Sequence, residues 1–315
     1  MAIDITAKLL ASGDKYRKEL LALPIASLDE YTKYMTLRPG VRGKESVGVI
    51  GSGAELRPYQ TTKGATDNTT LGLRELETFM GDIVEEFDPF VLSSTVYGNA
   101  VSTSPDKFDI VKAAAMEMAK TTGNKLRQNL FKAVRKANGT KTVDLFNGFS
   151  TIAQAEITAG TISAAAKNLF VAGQITAVNV VDKIKEAYRA LSEELREEKT
   201  YLFLPYEIYD KYNDAYIAEV GSVSYNENFT QIYVLGSDRR CQLVPISAMA
   251  GSGQMIFSTK ANMLVGCDQM GDAEKVEIRR CDNPKVVQFF MVLYFGVQFE
   301  SIDPRRLMVA TYTTI

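Results

Sequence analysis

The sequence predicts an α+β fold in which a long helix packs on an antiparallel sheet with an unusually long strand, and a glycine-rich arm projects from this body. The strand is the apolar stretch 285–299, where Val287, Phe289, Leu293 and their period-two neighbours form a wholly apolar face. The helix is predicted over 105–136 from apolar residues at three- and four-residue spacing. Each would reach roughly 45 Å, at about 3.3 Å per strand residue or 1.5 Å per helix residue. The two match in length and are expected to pack together.

Composition is that of an ordinary folded protein. The 315 residues allow two domains or one large body with extensions, and 46% hydrophobic with 23% charged residues are average values. The net charge of −2 argues against a protein that holds nucleic acid through a strong basic field. The run 285–299 is shorter than the about 20 apolar residues of a spanning helix. The first residues lack the basic start and apolar core of a secretory signal, so no membrane contact is expected.

Two residue types limit the possible chemistry. The chain has no histidine, which excludes Ser-His-Asp and Cys-His catalytic groups and histidine-ligated metals. Cys241, Cys267 and Cys281 have no CxxC spacing, so they are expected to be reduced, inert small hydrophobes. The lack of histidine therefore disfavours an enzyme. It does not exclude one, because carboxylates, lysine or tyrosine could still carry out acid–base catalysis.

The N-terminal part is predicted to contain two helices and the arm. Residues 1–40 have a loose apolar pattern of helix, break at a proline, and helix. Residues 41–69 are rich in glycine and too long for an ordinary connection, so they predict a projecting hairpin or a mobile arm with a strand-like piece at Ser46–Ile50. The segment 71–90 begins extended and is predicted to turn helical near Phe79–Phe87, although its pattern is ambiguous.

The middle of the chain is predicted to be mainly helical. Ser104 can cap the long helix, Pro105 suits its first turn, and Asn138-Gly139 can end it. Residues 143–178, beginning VDLFNGFSTIAQAEI, are predicted to be mixed and loop-rich. A second helix follows, with an apolar face formed by Val181, Ile184, Tyr188, Leu191 and Leu195.

The C-terminal part is predicted to consist mainly of strands. YLFLP (201–205) is a short buried strand, and Pro205 opens a third helix over YEIYDKYNDAY (206–216). Short strands are predicted in QIYVLG, CQLVPIS and QMIFSTKANMLVGC. KVEIRRC (275–281) is predicted to form a hairpin with the long strand through Asp282-Asn283-Pro284.

The motifs for catalysis or nucleotide binding are weak. VIGSGAEL (49–56) resembles the start of a dinucleotide-binding turn, but Leu56 replaces the third glycine and no helical pattern follows. GSG at 251–253 is as weak, and no phosphate loop ending in Gly-Lys-Ser/Thr occurs. The acidic groups Glu85-Glu86 and Glu193–Glu198 are typical of solvated faces. No catalytic residue, cofactor or metal ligand is therefore predicted.

Six basic residues are predicted to contact neighbouring subunits. They are Arg57, Lys63, Arg239, Arg240, Arg279 and Arg280. The last four form two isolated pairs in a slightly acidic protein, where such pairs more often meet neighbouring subunits or solvent than phosphate.

The order of the elements is specific, although each pattern alone is weak. It runs through the glycine-rich extension (41–69), the long helix (105–136), VDLFNGFSTIA (143–153), KTYLFLPYEIYDKY (199–212), VLGSDRRCQLVPIS (234–247), GQMIFSTKANMLVGCDQMGDAEKVEIRR (253–280), the long strand and IDPRRLMVATY (302–312). This succession resembles the major capsid proteins of tailed bacteriophages, which have the Hong Kong 97-type fold. The resemblance covers 70–315 and is strongest over 180–315.

The resemblance implies a structural protein of the virion. Its parts would be an N-terminal arm (1–40), an E-loop across a neighbouring subunit (41–78), a P-domain (79–142 and 262–300) and an A-domain (143–261 and 301–315). Copies would assemble in the bacterial host cytoplasm into hexamers and pentamers of an icosahedral head around double-stranded DNA, bound weakly and non-specifically. Residues 1–40 are too short for a fused scaffolding domain, so separate scaffolding and portal proteins are expected. The cross-linking residues of some relatives have no counterpart that we can map.

Two alternatives stay open. An encapsulin-like nanocompartment shell protein would have the same fold but enclose a cargo enzyme, and the neighbouring genes would discriminate the two. A histidine-free α/β enzyme that uses carboxylates or lysine belongs to a different class, and ligand-dependent stabilisation of a monomer would support it.

Overall fold

A computed structural model describes residues 23–24, 28–52, 69–88, 91, 108–220, 232–268, 276–280 and 286–314. Its helices are α1 (Asp29–Thr32), α2 (Phe108–Asn129), α3 (Phe149–Ala159), α4 (Val180–Arg189), α5 (Glu193–Glu197) and α6 (Tyr206–Val220). Its strands are β1 (Thr36–Pro39), β2 (Lys44–Ser52), β3 (Thr69–Glu77), β4 (Phe79–Phe87), β5 (Leu169–Ile175), β6 (Thr200–Leu204), β7 (Cys241–Pro245), β8 (Gln254–Ser258), β9 (Met263–Asp268), β10 (Val276–Arg280), β11 (Val287–Phe299) and β12 (Leu307–Thr314). This mixture of helix and sheet confirms the predicted α+β class.

Strand β11 organises the first sheet, because its 13 residues let it pair with three other strands. One edge pairs with β4 over Val287–Phe295. The opposite edge pairs with β10 over Val287–Met291 and then with β9 over Tyr294–Phe299, all antiparallel. β1 adds to β9 in parallel. The long strand thus carries β10 and β9 one after the other along the same edge. Its predicted antiparallel pairing with β10 is confirmed, whereas the predicted turn at Asp282-Asn283-Pro284 lies outside the described residues.

The predicted apolar face of β11 is also confirmed. It consists of the buried residues Val287, Phe289, Met291, Leu293, Phe295, Val297 and Phe299. Ala115 and Met118 of α2 pack in one cluster with Phe289, and Leu126 belongs to the same core as Leu293. The long helix and the long strand therefore pack together as predicted.

Helix α2 ends well before residue 136, so the predicted end is wrong. The chain turns because the apolar side chains that follow the helix are buried. The carbonyls of these residues accept hydrogen bonds from the start of another helix. The carbonyls of Leu130 and Phe131 accept hydrogen bonds from the Phe149 and Ser150 amides at 3.2 and 3.0 Å. These amides begin α3, which has no side-chain cap and would otherwise leave them unpaired.

Two further predictions of secondary structure are wrong. Phe79–Phe87 is strand β4 instead of helix, because it pairs with β11 over its whole length. The second N-terminal helix is only the short α1, and the strand β1 follows it. The segment 143–178 is mixed as predicted, with α3, β5 and loops between them.

The second sheet has the strand order β5-β12-β8-β6-β7. β12 lies parallel to β5 and antiparallel to β8, so the last of these strands in sequence occupies an interior position. Helices α4 and α6 join its core through Ile184, Tyr188, Ile208 and Tyr212. The stretch QMIFSTKANMLVGC is divided, since β8 belongs to this sheet and β9 to the first.

Strands β2 and β3 form a separate two-stranded antiparallel sheet, called the hairpin below. Its register runs from Lys44 opposite Glu77 to Ser52 opposite Thr69. This confirms the hairpin interpretation of the glycine-rich segment. Residues 53–68, which connect the two strands, lie outside the described residues.

Candidate assembly surfaces

The hairpin joins the first sheet at Thr78, a polar residue that is only 3% exposed. The Thr78 hydroxyl donates to the Val41 carbonyl at 2.9 Å and accepts from the Gly43 amide at 3.0 Å. The Thr78 amide donates to the Gly43 carbonyl at 2.7 Å. The chain segments that enter and leave the hairpin are therefore tied together where they meet the sheet.

Two glycines let the hairpin approach the sheet closely. Gly266 of β9 and Gly296 of β11 are direct partners in the sheet register. A Cβ at position 296 would lie 2.1 Å from the Glu77 carbonyl oxygen, and one at position 266 would lie 2.8 Å from the Thr78 Cγ2. Both distances are shorter than real Cβ contacts. At position 296 the obstacle is backbone, so this position requires glycine, whereas at position 266 the Thr78 and Leu76 side chains would have to shift. We call this pair the glycine slot; Gly296 seats the backbone of Glu77 and Thr78, and Gly266 meets the Thr78 side chain.

Arg74 on β3 connects the hairpin to two other elements. Its Nη2 donates to Glu156 Oε1 of α3 at 2.6 Å and to Gln298 Oε1 of β11 at 3.2 Å. Gln298 Nε2 donates in turn to the Glu75 carbonyl at 3.0 Å. The side chains of Arg74 and Glu156 are only 18% and 20% exposed, so salt screens this ion pair less than a surface pair.

Two carboxylates of the body pair with arginines in the hairpin or next to it. Burial alone would raise the pKa of Glu156, but the Thr161 hydroxyl and the Arg74 guanidinium together outweigh it and lower that pKa. Asp268 of β9 is almost fully buried and forms an ion pair with Arg42, which lies just before β2. The hairpin is thus fixed to the body by charge as well as by packing.

A groove of about 490 Å³ lies between β4, the C-terminal half of α2 and the segment 135–145. Its walls carry charges of both signs, from Asp82, Glu85, Lys125, Arg135 and Lys141. Met80 and Val84 of β4 are 62% and 50% exposed. Among the described strands, β4 pairs with β11 alone. Exposed apolar side chains and a free strand edge are typical of surfaces that another protein covers.

The predicted interface arginines lie in separate places. Arg239 and Arg240 are exposed in the turn before β7, where Asp238 and Arg239 have positive φ angles of 50° and 59°. The Arg240 amide closes this turn by donating to the Ser237 carbonyl at 3.0 Å. Within the described residues neither arginine forms an ion pair.

Arg279, in contrast, lies on β10 of the first sheet and pairs with Glu277 of the same strand. The structure therefore does not bring the two arginine pairs together. The side chain of Arg280, together with Arg57 and Lys63, lies outside the described residues. The interface role of all six basic residues stays a prediction.

Sequence reasoning missed Arg74, Thr78 and the glycine slot. A glycine inside a strand is a signal of close backbone approach, and Gly266 and Gly296 both interrupt apolar strands. The role of Arg74 had no such signal, because its partners Glu156 and Gln298 come from distant parts of the sequence.

Two cysteines, Cys241 and Cys267, are buried in the described part of the chain. Burial raises the pKa of Cys267 to about 12, with a further contribution from Asp268, and burial also raises the pKa of Cys241. The described residues contain no group of three His, Cys, Asp or Glu side chains that could hold a metal ion. Across the same residues, every helix is too short or too polar to cross a membrane.

Comparison with known proteins places this architecture in one fold. No family model and no curated protein matches the sequence. A chain from the satellite phage P4 procapsid, which includes size determination (Sid) protein, matches with a TM-score of 0.59 and 12% identity, over 94% of this chain and 91% of its own length. A chain from the capsid of an empty GTA particle gives 0.54 and 14%, over 91% and 90%.

A third solved structure belongs to a different kind of shell. The holo-SrpI encapsulin complex from Synechococcus elongatus PCC 7942 gives a TM-score of 0.51 and 9% identity, over 90% of this chain and 86% of its own. The order of elements predicted from the sequence therefore occurs in an architecture common to phage capsids and an encapsulin. The chain has the Hong Kong 97-type capsid fold.

Proposed function

We propose that the chain is a major capsid protein that self-assembles into the hexamers and pentamers of an icosahedral phage head enclosing double-stranded DNA. The observation that carries this proposal is the fold, which matches the P4 procapsid chain over 94% of this chain and 91% of that one. The lack of histidine agrees with a structural rather than an enzymatic role. The protein would belong to the virion, after assembly in the host cytoplasm with separate scaffolding and portal proteins.

In this proposal each part of the chain has a place in the shell. Residues 1–40 are the N-terminal arm, 41–78 the E-loop, 79–142 and 262–300 the P-domain, and 143–261 and 301–315 the A-domain. The hairpin supports the E-loop assignment, because a two-stranded sheet is at best marginally stable alone in water and gains from lying on a neighbouring subunit. The groove beside β4 is a surface where such a neighbour would be seated.

Negative-stain microscopy of the purified protein tests the proposal most directly. We expect capsomer rings or closed shells of uniform size. A monodisperse monomer at all protein concentrations, particularly one stabilised by a small ligand, would instead favour the histidine-free α/β enzyme.

A deletion tests the role of the hairpin and its connecting segment. Removing residues 45–66 should leave the two main sheets folded, because all the strands of both sheets lie outside the deleted segment. We expect native-like circular dichroism and cooperative unfolding of the isolated subunit, but no rings or shells. Regular shells formed by the deletion variant would contradict the E-loop assignment.

The similarity to the SrpI encapsulin complex supports a second candidate function, that of an encapsulin-like nanocompartment shell protein. Both candidates form shells, so the contents discriminate them. We expect shells from the native source to protect double-stranded DNA from nuclease. A stoichiometric protein cargo without protected DNA would favour the encapsulin.

A further inference from the structure

We propose that Arg74 is a positioning residue that holds the hairpin at one angle to the body, so that its far end meets the neighbouring subunit in the shell. The fixed angle is a property of the single chain. Only the last step, the contact with a neighbour, rests on the proposed function.

The length of the hairpin makes the angle at its base important. From Lys44 to Ser52 the strand spans about 26 Å at about 3.3 Å per residue, so a rotation of about 10° at the base moves its far end by about 4–5 Å. Hydrogen bonds tolerate distances of only about 2.7–3.2 Å. A contact made by the far end therefore depends on how firmly the base is held.

The backbone contacts at the base lie close together. Thr78, Gly43 and the glycine slot all act within two residues of one end of the hairpin. These contacts fix where the hairpin is attached. Val47 and Leu76 add apolar packing in one cluster with Leu264 of β9, but such packing is non-directional and sets the angle less sharply than a directional, hydrogen-bonded ion pair.

Arg74 acts at a distance from that point. It lies four residues before Thr78 on the strand, about 13 Å away at about 3.3 Å per residue. Its bonds reach Glu156 of α3 and Gln298 of β11, so it braces the hairpin against two elements of the body. Among the described residues of the hairpin, Arg74 alone forms an ion pair with the body.

The hairpin supplies its own matched control. Lys44 forms ion pairs with Glu75 and Glu77 across the two strands, and both Lys44 and Glu75 have side chains that are 60% exposed. These pairs stay within the hairpin and do not reach the body. Lys44→Gln therefore removes a hairpin charge without removing a brace.

The test measures the angle in isolated subunits. Spin labels carried by unnatural amino acids are placed at position 52, the far end of β2, and at position 189, the exposed end of α4. Pulsed electron paramagnetic resonance then gives the distribution of distances between them. We expect one narrow distribution for the unsubstituted chain and for Lys44→Gln, a distribution broadened or shifted by several Å for Arg74→Gln, and partial recovery for Arg74→Lys.

Two further measurements separate positioning from folding and from assembly. Glu156→Gln removes the same ion pair from the body side and replaces Arg74→Gln if that variant does not unfold cooperatively. In assembly assays Arg74→Gln should yield few regular shells, whereas Lys44→Gln should assemble normally. An unchanged distance distribution in Arg74→Gln would show that Arg74 does not fix the angle of the hairpin. Regular shells despite a broadened distribution would show that this angle does not matter for assembly. If the unsubstituted chain forms no shells, the proposed function fails, but the distance measurement still decides whether Arg74 fixes the angle of the hairpin.

Discussion

At the scale of single residues, Glu156 gives the attachment of the hairpin a dependence on pH. Its pKa is lowered below the ordinary value of 4.5 in the folded chain, so its carboxylate binds fewer protons there than in the unfolded chain. The stabilisation is therefore complete above pH 4.5 and is lost as the pH falls through the lowered pKa.

We expect the stability of the unsubstituted chain to fall more steeply below pH 4.5 than that of Glu156→Gln. Urea unfolding measured from pH 6 to pH 3 checks this. Glu75 and Glu77 line the same surface and are present in both proteins, so only the difference between the two curves counts. Parallel curves of unfolding free energy against pH would mean that the ion pair contributes nothing to the pH dependence of stability.

Gly296 is a residue where a single added methyl group should lower the stability. A Cβ there would lie 2.1 Å from the Glu77 carbonyl oxygen, which is backbone and cannot rotate away. Gly296→Ala should therefore cost on the order of 1–3 kcal/mol of stability, as overpacking does. Gly81→Ala is the control, because its Cβ would meet only the Leu145 methyl groups at 3.0 Å. Equal unfolding midpoints for the two variants would contradict the glycine slot.

At the scale of elements, the packing of α2 on the first sheet can be measured. Leu126 is 1% exposed in the core that contains Leu293, so Leu126→Ala should cost about 2–5 kcal/mol in the free energy of unfolding. Leu73 on the hairpin is 64% exposed, and Leu73→Ala should change that free energy by less than about 0.5 kcal/mol. A near-zero change for Leu126→Ala would mean that α2 is not held by this core.

Elements with one regular face were predictable from the sequence, and elements set by their partners were not. The face of β11 has a strict period of two, so burial alone specifies it. In β4 the exposed Met80 and Val84 break any simple apolar pattern. The ends of α2 and α3 depend on hydrogen bonds between residues 130–131 and 149–150, which no local signal encodes. Arg74 belongs to the same class, since its role depends on contacts across the sheets.

At the scale of the whole molecule, the charge balance limits the affinity that the chain can have for DNA. The chain has 36 basic and 38 acidic residues, and affinity for DNA rises with the number of phosphates that a protein neutralises. We expect isolated capsomers to bind double-stranded DNA weakly at physiological salt. A salt titration of DNA binding measures this.

Arginine variants assign the predicted interface residues in the same experiment. Charge reversal of Arg239, Arg240, Arg279 and Arg280 to glutamate should impair assembly more than DNA binding, because complementary charges guide the encounter and register of subunits. Tight DNA binding that is lost in these variants while assembly stays intact would reverse the assignment.

The interior position of β12 governs when the subunit can become complete. The ribosome makes β5, β6, β7 and β8 before β12, which must then insert between β5 and β8. At roughly 5–20 residues per second, the earlier strands wait for many seconds with unpaired edges that can recruit other chains. Nascent chains on one messenger are therefore exposed to mispairing until β12 has been made. In the proposed shell, the same delay would keep a chain without β12 from presenting a complete second sheet to its neighbours.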